Sequence, residues 1–491
     1  MAVLYLKYIE GSIPLFIHGI LCALAYGVWL LFAAVCLPLI LVFRFYSTLE
    51  NFLITYRKLG TVFTPFDKAF IHESKENRNF IIGIFELEGE PNIEKIRKCV
   101  IARFLNKRRL LDKTYERLSQ RVTKRYFSYV WEEESNFNIR QHIPIYKGVL
   151  PETKKDIEQL CSRLTDEEFP KDISPWMLKI IPKKDKSGFI IFAKVHHVIG
   201  DGYALIGLLS ELVDQKPQFM DFPPRPQGYL SNKVVKILSI VLTGPLALLT
   251  IAFSQNLRNP FKATKGLTSK TISWTNPISL KTIKRIKSKT NTTVNDVMMS
   301  TLGGALRRYL TERGIFPDDQ PVAMTFNLRS TSEMMKTNIP LGNNSGGLFL
   351  NLPLSVSDPV ERLEVTKNRI VLLKKLSHEQ MFSFFFYNVA SILPDFFSRI
   401  TAFALRRNTT LIVSNVPGPT TPLHILGSRL KSIVFTPPLH GGVGLVVSVF
   451  SYNEKLQLAV MTDETIIAKP AELTDAFEKE ITLLENRVLI E

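Results

Sequence analysis

The sequence predicts an α/β protein of two domains preceded by an N-terminal membrane anchor. From about residue 59 onward, short apolar runs typical of strands alternate with apolar residues at helical spacing. At 491 residues the chain exceeds one ordinary hydrophobic core, so two domains are expected. A hydrophobic content of 45% with 10% aromatic residues indicates a packed chain rather than a disordered one.

The anchor is predicted from residues 13–43, which contain no Asp, Glu, Lys or Arg. A helix crosses a bilayer with ~20 apolar residues, whereas a cleaved secretory signal has an apolar core of only about 7–15. We therefore expect an uncleaved anchor within residues 1–58. Arg44, Arg57 and Lys58 follow it, and this excess of positive charge favours a cytosolic location for the remainder. The expected location is the endoplasmic reticulum membrane, with the plasma membrane as second choice.

The first domain is expected over residues 59–225, on the basis of alternating strand and helix patterns. Strands are predicted at 80–85, 177–181 and 189–193, the last two as a hairpin, and helices at 93–104, 153–162 and 203–212. The second domain is expected over residues 271–491. Its predicted strands are 322–328, 348–352, 411–413, 444–450 and 456–461, and its predicted helices are 279–289, 293–310, 361–376 and 471–488.

A basic, apolar linker over residues 226–270 is expected to separate the domains. No acidic residue occurs between Phe222 and Asn295, and residues 237–253 are uncharged with Gly244-Pro245 near their centre. Such a segment is marginal as a span and fits an interfacial or re-entrant position at a membrane, with a packed crossover as the alternative. Membrane lipid is therefore an expected partner.

The net charge of +17 favours a polyanionic partner, which could be nucleic acid, an anionic membrane face or a phosphorylated small molecule. Nucleic acid is disfavoured because the basic excess lies beside apolar stretches and no binding module is recognisable. The four cysteines show neither zinc-site spacing nor a disulfide framework, which indicates a reducing compartment.

The strongest candidate for chemistry is the turn over residues 195–202, which contains His196, His197, Asp201 and Gly202. It joins an apolar strand to a helix, a position where functional side chains are often placed. A metal site is disfavoured because adjacent histidines point to opposite sides of an extended chain and further ligands are not apparent. A hydrolase nucleophile elbow of the G-x-S-x-G type is absent from the sequence. The remaining option is a histidine that acts as general base on a hydroxyl. An imidazole suits this role because its unperturbed pKa is ~6.5.

The segment His196 to Gly202 resembles the HHxxxDG signature of the coenzyme A-dependent acyltransferase superfamily. Four further segments are similar to motifs of one branch, the wax ester synthase/diacylglycerol acyltransferase family. They are Thr64-Pro65-Phe66-Asp67, Ser174-Pro175-Trp176, Thr293-Val294-Asn295-Asp296-Val297 and Ser414-Asn415-Val416-Pro417-Gly418-Pro419. The resemblance covers about residues 60–485 in the family's order. The Leu of the family's Pro-Leu-Trp element is missing here.

The resemblance implies two chloramphenicol acetyltransferase-like domains around a central tunnel. It also implies esterification of a fatty alcohol or diacylglycerol by acyl-CoA, a co-substrate, with no separate cofactor and no metal. His197 would be the general base. His196, Asp201, Gly202 and Asn295 would support it: Asp201 through an ion pair that holds the turn, and His196 by packing or hydrogen bonding. Asn295 would either stabilise the oxyanion or only support a helix start.

Two other functions remain open at the level of sequence. One is an acyltransferase for a different hydroxyl acceptor, such as a sterol or a short alcohol. The other is a catalytically silent membrane lipid-binding protein, which the intact His196-His197 pair with Asp201 argues against. A site shared by both domains would also require residues 237–253 not to cross a membrane once, because a single crossing would put the domains on opposite faces.

Overall fold

The computed structural model describes residues 15–71, 78–105, 113–219, 260–263, 267–327, 329, 339–375, 411–439 and 442–490. The α-helices in this part of the chain are α1 (Leu15–Tyr56), α2 (Pro65–Ile71), α3 (Ile93–Val100), α4 (Ile139–His142), α5 (Lys154–Asp166), α6 (Gly202–Leu212), α7 (Leu280–Lys289), α8 (Val294–Thr311), α9 (Pro359–Lys375) and α10 (Pro470–Glu485). Short π-helical turns follow α3 (Ile101–Leu105) and α10 (Asn486–Ile490), and a 3-10 helix spans Lys113–Ser119.

The strands fall into three sheets. They are β1 (Thr61–Val62), β2 (Phe80–Glu88), β3 (Gln120–Arg125), β4 (Ser128–Glu133), β5 (Trp176–Pro182), β6 (Gly188–His196), β7 (Lys270–Trp274), β8 (Ile278–Ser279), β9 (Gln320–Asn327), β10 (Ser345–Leu352), β11 (Leu411–Val416), β12 (His424–Ile425), β13 (Ser428–Thr436), β14 (Leu445–Tyr452) and β15 (Lys455–Asp463). The sheets have the orders β1-β4-β3, β12-β13-β2-β6-β5 and β10-β9-β11-β14-β15-β7, with β8 also paired to β15.

The five-stranded sheet combines both halves of the chain. β13, from the C-terminal half, pairs antiparallel with β2, with Phe435 opposite Gly83. On its other edge β2 pairs with β6, with Phe80 opposite His196. This strand exchange was not predicted from the sequence, because register across several hundred residues leaves no local pattern. It fixes the end of β6, where the paired histidines lie, against the second half of the protein.

The two larger sheets pack face to face around a shared core. Because side chains alternate along a strand, Ile82 and Ile84 of β2 and Phe192 of β6 point to the same face of the five-stranded sheet. There they cluster with residues of the other sheet, including Val446 and Met461. The opposite face carries the odd-numbered residues of both strands and a second cluster. A third cluster joins the seven-stranded sheet to α7, α8, α9 and α10.

The membrane anchor and the membrane location predicted from residues 13–43 are wrong. Within the described ranges, no helix combines the length and the apolar character that crossing a membrane requires. The apolar stretch belongs to α1, which continues through Arg44, Glu50 and Asn51 to Tyr56. Its last turns are fastened to the body, because the buried Glu50 carboxylate accepts hydrogen bonds from the backbone N–H groups of Phe127 and Ser128 at 2.6 and 2.9 Å.

Most of the predicted elements are confirmed within one to four residues at their ends. The hairpin of β5 and β6, the helix after the paired histidines and the terminal helix are all present. Thr293 and Asp296 have the sequence spacing of a capping box, and at the start of α8 they are bonded reciprocally. The segment at 237–253 and the aromatic stretch at 382–403 lie outside the described residues.

Candidate active site

The predicted turn lies between the end of β6 and the start of α6. The backbone N–H of His197 donates to the carbonyl of Asn79 at 2.7 Å, which ties the turn to the residue before β2. Asp201 caps α6 by accepting from the N–H of Ala204 at 3.1 Å. These hydrogen bonds fix the backbone on both sides of the turn, so the position of His197 between β6 and α6 is defined.

The ring of His197 is held on two sides. It stacks on the ring of Phe70 from α2, with centroids 3.8 Å apart and planes 7° apart. Its Nδ1 lies 2.9 Å from Oδ1 of Asn343, which precedes β10 in the second half of the chain. Both contacts restrict the ring's rotation, and they come from residues far from it in sequence.

The hydrogen bonds of Asn343 determine the tautomer of His197. The Nδ2 of Asn343 donates to the His197 carbonyl at 2.8 Å and to Oδ1 of Asp67 at 3.3 Å, so this end of the amide is the donor. Oδ1 must then be the acceptor, and Nδ1 of His197 carries the hydrogen. The neutral ring consequently has its lone pair on Nε2, the nitrogen that can accept a proton.

Burial of the His197 ring lowers its pKa to about 4, because a charged imidazolium is poorly solvated there. The carboxylate of Asp201 and the hydrogen bond to Asn343 act in the opposite direction, but burial dominates. His197 is therefore neutral near pH 7, the form that a general base requires.

A salt bridge between Asp67 and Arg117 supports Asn343, because Asp67 accepts a hydrogen bond from the Asn343 amide. The fully buried Asp67 accepts two hydrogen bonds from the guanidinium of Arg117, at 2.8 and 3.0 Å. Arg117 also donates to the carbonyl of Val198 inside the histidine turn at 2.7 Å. Asp67 closes the Thr64–Asp67 motif, and the hydroxyl of Ser174 donates to the carbonyl of Arg117 at 2.8 Å. Two motifs singled out in the sequence thus converge on one support.

Asp201 forms the ion pair with Arg329. Nη1 of Arg329 lies 2.9 and 2.8 Å from the two carboxylate oxygens of Asp201, and both residues are 4% exposed. The same carboxylate accepts from the N–H of Asn344 at 2.7 Å. None of the hydrogen bonds described for Asp201 reaches the His197 ring; they join the histidine turn to the loop before β10.

The two other residues of the turn have distinct surroundings. His196 is 4% exposed, meets the ring of Phe80 edge-on at 5.0 Å, and accepts from the N–H of Val198 through Nδ1 at 3.2 Å. It points to the face opposite His197, as alternation along β6 requires. Gly202 begins α6, and a Cβ built there would meet only Cγ2 of Val416, at 3.5 Å.

Asn295 lies in the first turn of α8 and is not brought into contact with His197 by any described hydrogen bond. Its Oδ1 accepts from Nδ2 of Asn415 at 3.0 Å, which joins two of the sequence motifs. Within the described ranges, no group of three His, Cys, Asp or Glu side chains is arranged as metal ligands would be.

Sequence reasoning missed Phe70, Arg117, Arg329 and Asn343. Arg329 and Asn343 stand in short polar segments between strands, at 128 and 146 residues from their partners Asp201 and His197. The glycines around Asn343 were a usable signal, since Gly342 adopts φ of +121° and its carbonyl accepts from Arg329 at 3.0 Å.

The site thus holds a neutral imidazole whose Nε2 can accept a proton, at a turn that contacts both halves of the chain. The catalytic-domain model of the wax ester synthase/diacylglycerol acyltransferase type matches residues 63–273, and the WS/DGAT C-terminal domain model matches residues 341–485. The chain belongs to the wax ester synthase/diacylglycerol acyltransferase family. It is accordingly an acyl-CoA:alcohol O-acyltransferase.

Individual relatives agree with this assignment. A putative diacylglycerol O-acyltransferase of Mycobacterium tuberculosis is 27% identical over 388 residues, which covers 71% of this chain and 74% of the relative. The O-acyltransferase WSD of Acinetobacter baylyi is 24% identical over 391 residues, covering 72% and 83%. The solved wax ester synthase/diacylglycerol acyltransferase of Marinobacter aquaeolei VT8 has the same fold, with a TM-score of 0.62, 18% identity, and coverage of 87% of this chain and 100% of that one.

Proposed function

We propose that this enzyme transfers an acyl group from acyl-CoA to the hydroxyl of a long-chain alcohol or of diacylglycerol, with His197 as the general base. The observation that carries the proposal is the hydrogen bond between Nδ1 of His197 and Asn343, which leaves Nε2 as the accepting atom of a neutral ring. The acceptor classes are those named for the relatives from M. tuberculosis and M. aquaeolei.

The proposed reaction needs no covalent enzyme intermediate. Nε2 of His197 takes the proton of the acceptor hydroxyl as its oxygen attacks the thioester carbonyl. The tetrahedral intermediate collapses with cleavage of the carbon–sulfur bond, and the imidazolium returns its proton to the leaving thiolate of coenzyme A. Ester and free coenzyme A are the products, and His197 is neutral again.

The two halves of the chain contribute different parts in this proposal. Residues 59–225 supply the base and residues 271–491 supply Asn343 and Arg329, with residues 226–270 connecting them and a tunnel between the halves admitting both substrates. Asn295 is proposed as a donor to the developing oxyanion, since its Oδ1 is occupied by Asn415 and its Nδ2 is the remaining donor.

The test is an assay of the purified full-length chain with labelled palmitoyl-CoA, separately with hexadecanol and with diacylglycerol. The wild-type protein should form labelled ester and release coenzyme A. His197→Ala should lower kcat by about 10²–10⁴-fold, the range that general-base catalysis contributes. The matched control is His424→Ala, which removes a partly exposed imidazole of β12 and should leave turnover intact. Full turnover in His197→Ala would overturn the role of the base.

A further inference from the structure

An apolar cavity of about 150 Å³ lies on the face of the five-stranded sheet that carries the odd-numbered residues of β2 and β6. Its walls come from β2, β5, β6, α3, the π-helical turn after it, and α6, and from β11, β12, β13 and β14 of the second half. No charged side chain lines it. The indole N–H of Trp176 donates to the carbonyl of Leu118 at 2.8 Å, so it does not need a hydrogen-bond acceptor within the cavity.

The cavity extends along β6 away from the histidine turn. Its β6 wall consists of Ile191, Ala193 and Val195, so its near end is two residues before His197. Antiparallel pairing of β2 places Ile81 beside Val195 and Phe85 beside Ile191. The β6 wall of the cavity is therefore about 13 Å long, at ~3.3 Å per residue. The wholly apolar lining along this length suits a hydrocarbon chain.

Gly202 lies at the end of the cavity that is nearer to His197. Neither the backbone conformation nor the packing at this position requires a glycine. Its φ is not positive, and the nearest atom to a built Cβ is Val416 Cγ2 at ordinary contact distance. Neighbouring glycines differ: a Cβ at Gly200 would approach that of Ala204 to 2.7 Å, and one at Gly207 would approach that of Ile339 to 2.9 Å. The space beside Gly202 is the cavity itself, which its Cα lines.

Side chains of the second half border the cavity along β13. Ile433 lies opposite Phe85 at the far end, whereas Phe435 lies opposite Gly83 near the middle and meets Phe450 edge to face, with ring centroids 5.7 Å apart. Beyond Ile433 and Phe450, a polar cleft begins that is lined by Arg429, Lys455 and other polar residues. The lining therefore changes from apolar to polar beyond Ile433, and an apolar ligand gains no further apolar contact there.

We propose that this cavity binds the hydrocarbon chain of one substrate and that Gly202 is its entrance, so that side-chain size at position 202 sets the chain length accepted. The proposal rests on the proposed acyl transfer, and deepens it by assigning a site to one of the two chains. An apolar chain gains most from this lining because every methylene leaves water without stranding a polar group. The chain is either the acyl group or the alcohol, and both have the same chemistry.

The experiment varies each chain separately. In one arm, acyl-CoA is varied from butyryl to palmitoyl with hexadecanol held constant. In the other arm, the alcohol is varied from butanol to hexadecanol with palmitoyl-CoA held constant. Gly202→Leu should lower the ratio of kcat/KM for the longest to the shortest substrate by about ten-fold or more in one arm only, since pocket fit discriminates chain lengths on this scale. That arm identifies the occupant.

Three further variants keep the result interpretable. Gly202→Ala should shift the ratio in the same arm by a smaller factor. Ile433→Phe narrows the cavity from its far end and should shift the same ratio. Ser210→Leu adds the same bulk to α6 outside the cavity lining and should not shift it. An equal loss at all chain lengths, in both arms and for both Gly202→Leu and Ile433→Phe, would overturn the proposal.

A binding measurement separates this proposal from the proposed function. A fluorescent fatty acid is titrated into the wild-type chain, into Gly202→Leu and into Ser210→Leu. Saturable binding by wild type and Ser210→Leu, weakened about ten-fold in Gly202→Leu, supports the cavity even if no ester is formed with any acceptor. Equal binding by all three proteins contradicts it, whatever the turnover.

Discussion

The turn before α6 and the turn before α8 both begin a helix with a side-chain cap, yet different parts of the chain hold them. Thr293 caps α8 by accepting from the N–H of Asp296, which bonds back to Thr293, so the turn is complete within four residues. Asp201 caps α6 in the same way but is also paired with Arg329, 128 residues away. The first turn is a local motif, and the second depends on the folding of both halves.

The two turns therefore differ in the contacts that they require. A local capping box is sufficient to start α8, whereas the turn with His197 needs the loop before β10 to fix its ring and its tautomer. The proposed base therefore depends on contacts from the second half for its orientation.

The largest expected effect is from Arg329→Met. Removing the guanidinium leaves the Asp201 carboxylate buried without its cation, which should lower the free energy of unfolding by about 3–5 kcal/mol. Urea unfolding followed by tryptophan fluorescence measures the change. Lys184→Met, which removes one member of a surface ion pair with Glu152, is the matched control and should cost about 1 kcal/mol or less. Equal losses in the two variants would mean that the buried pair does not hold the turn.

The second effect is catalytic and comes from Asn343→Leu. This near-isosteric change removes the acceptor at Nδ1 of His197, so the ring is free to place its hydrogen on Nε2. We expect kcat to fall about 10²-fold, the lower end of the contribution of a general base, with KM for acyl-CoA unchanged. Asn351→Ala in β10 serves as the control. A rise in KM with kcat unaltered would instead point to a role in substrate binding.

The smallest effect is expected at the local turn. Thr293→Ala removes one side of the capping box and should lower the free energy of unfolding by about 1 kcal/mol. Because no described contact joins Thr293 to His197, kcat should be unchanged. Parallel urea unfolding and turnover assays provide the measurement, and a large catalytic defect would mean that the cap, rather than the hydrogen bond to Asn415, positions Asn295.

Sequence patterns predicted the parts of this protein that local rules determine. The apolar run of β6, the leucine spacing of α6 and the Thr293–Asp296 capping box each lie within one short window, and each is present. The pairing of β13 with β2 joins segments more than 300 residues apart, so no window contained it. The same is true of Asn343 beside His197.

The predicted membrane anchor is the opposite case, because a strong local hydropathy pattern led to a wrong prediction. Residues 13–43 contain no Asp, Glu, Lys or Arg, but residues 15–43 form only part of a helix whose end is bound to the β3–β4 hairpin by Glu50. That carboxylate contact, like the site's own support, depends on residues 77 and 78 positions away. Local hydropathy contains no information about it.

The most direct test of this account is the protonation state of His197 itself. Nitrogen-15 NMR of imidazole-labelled protein, with the signal assigned by its absence in His197→Gln, reports both tautomer and pKa. Burial disfavours the charged ring, so the proton is gained only as pH falls through the lowered pKa, and the neutral base persists at all higher pH. We expect a neutral ring that is protonated at Nδ1 near pH 7 and titrates near pH 4. A ring protonated at Nε2, or one that titrates at pH 6.5 or above, would contradict it.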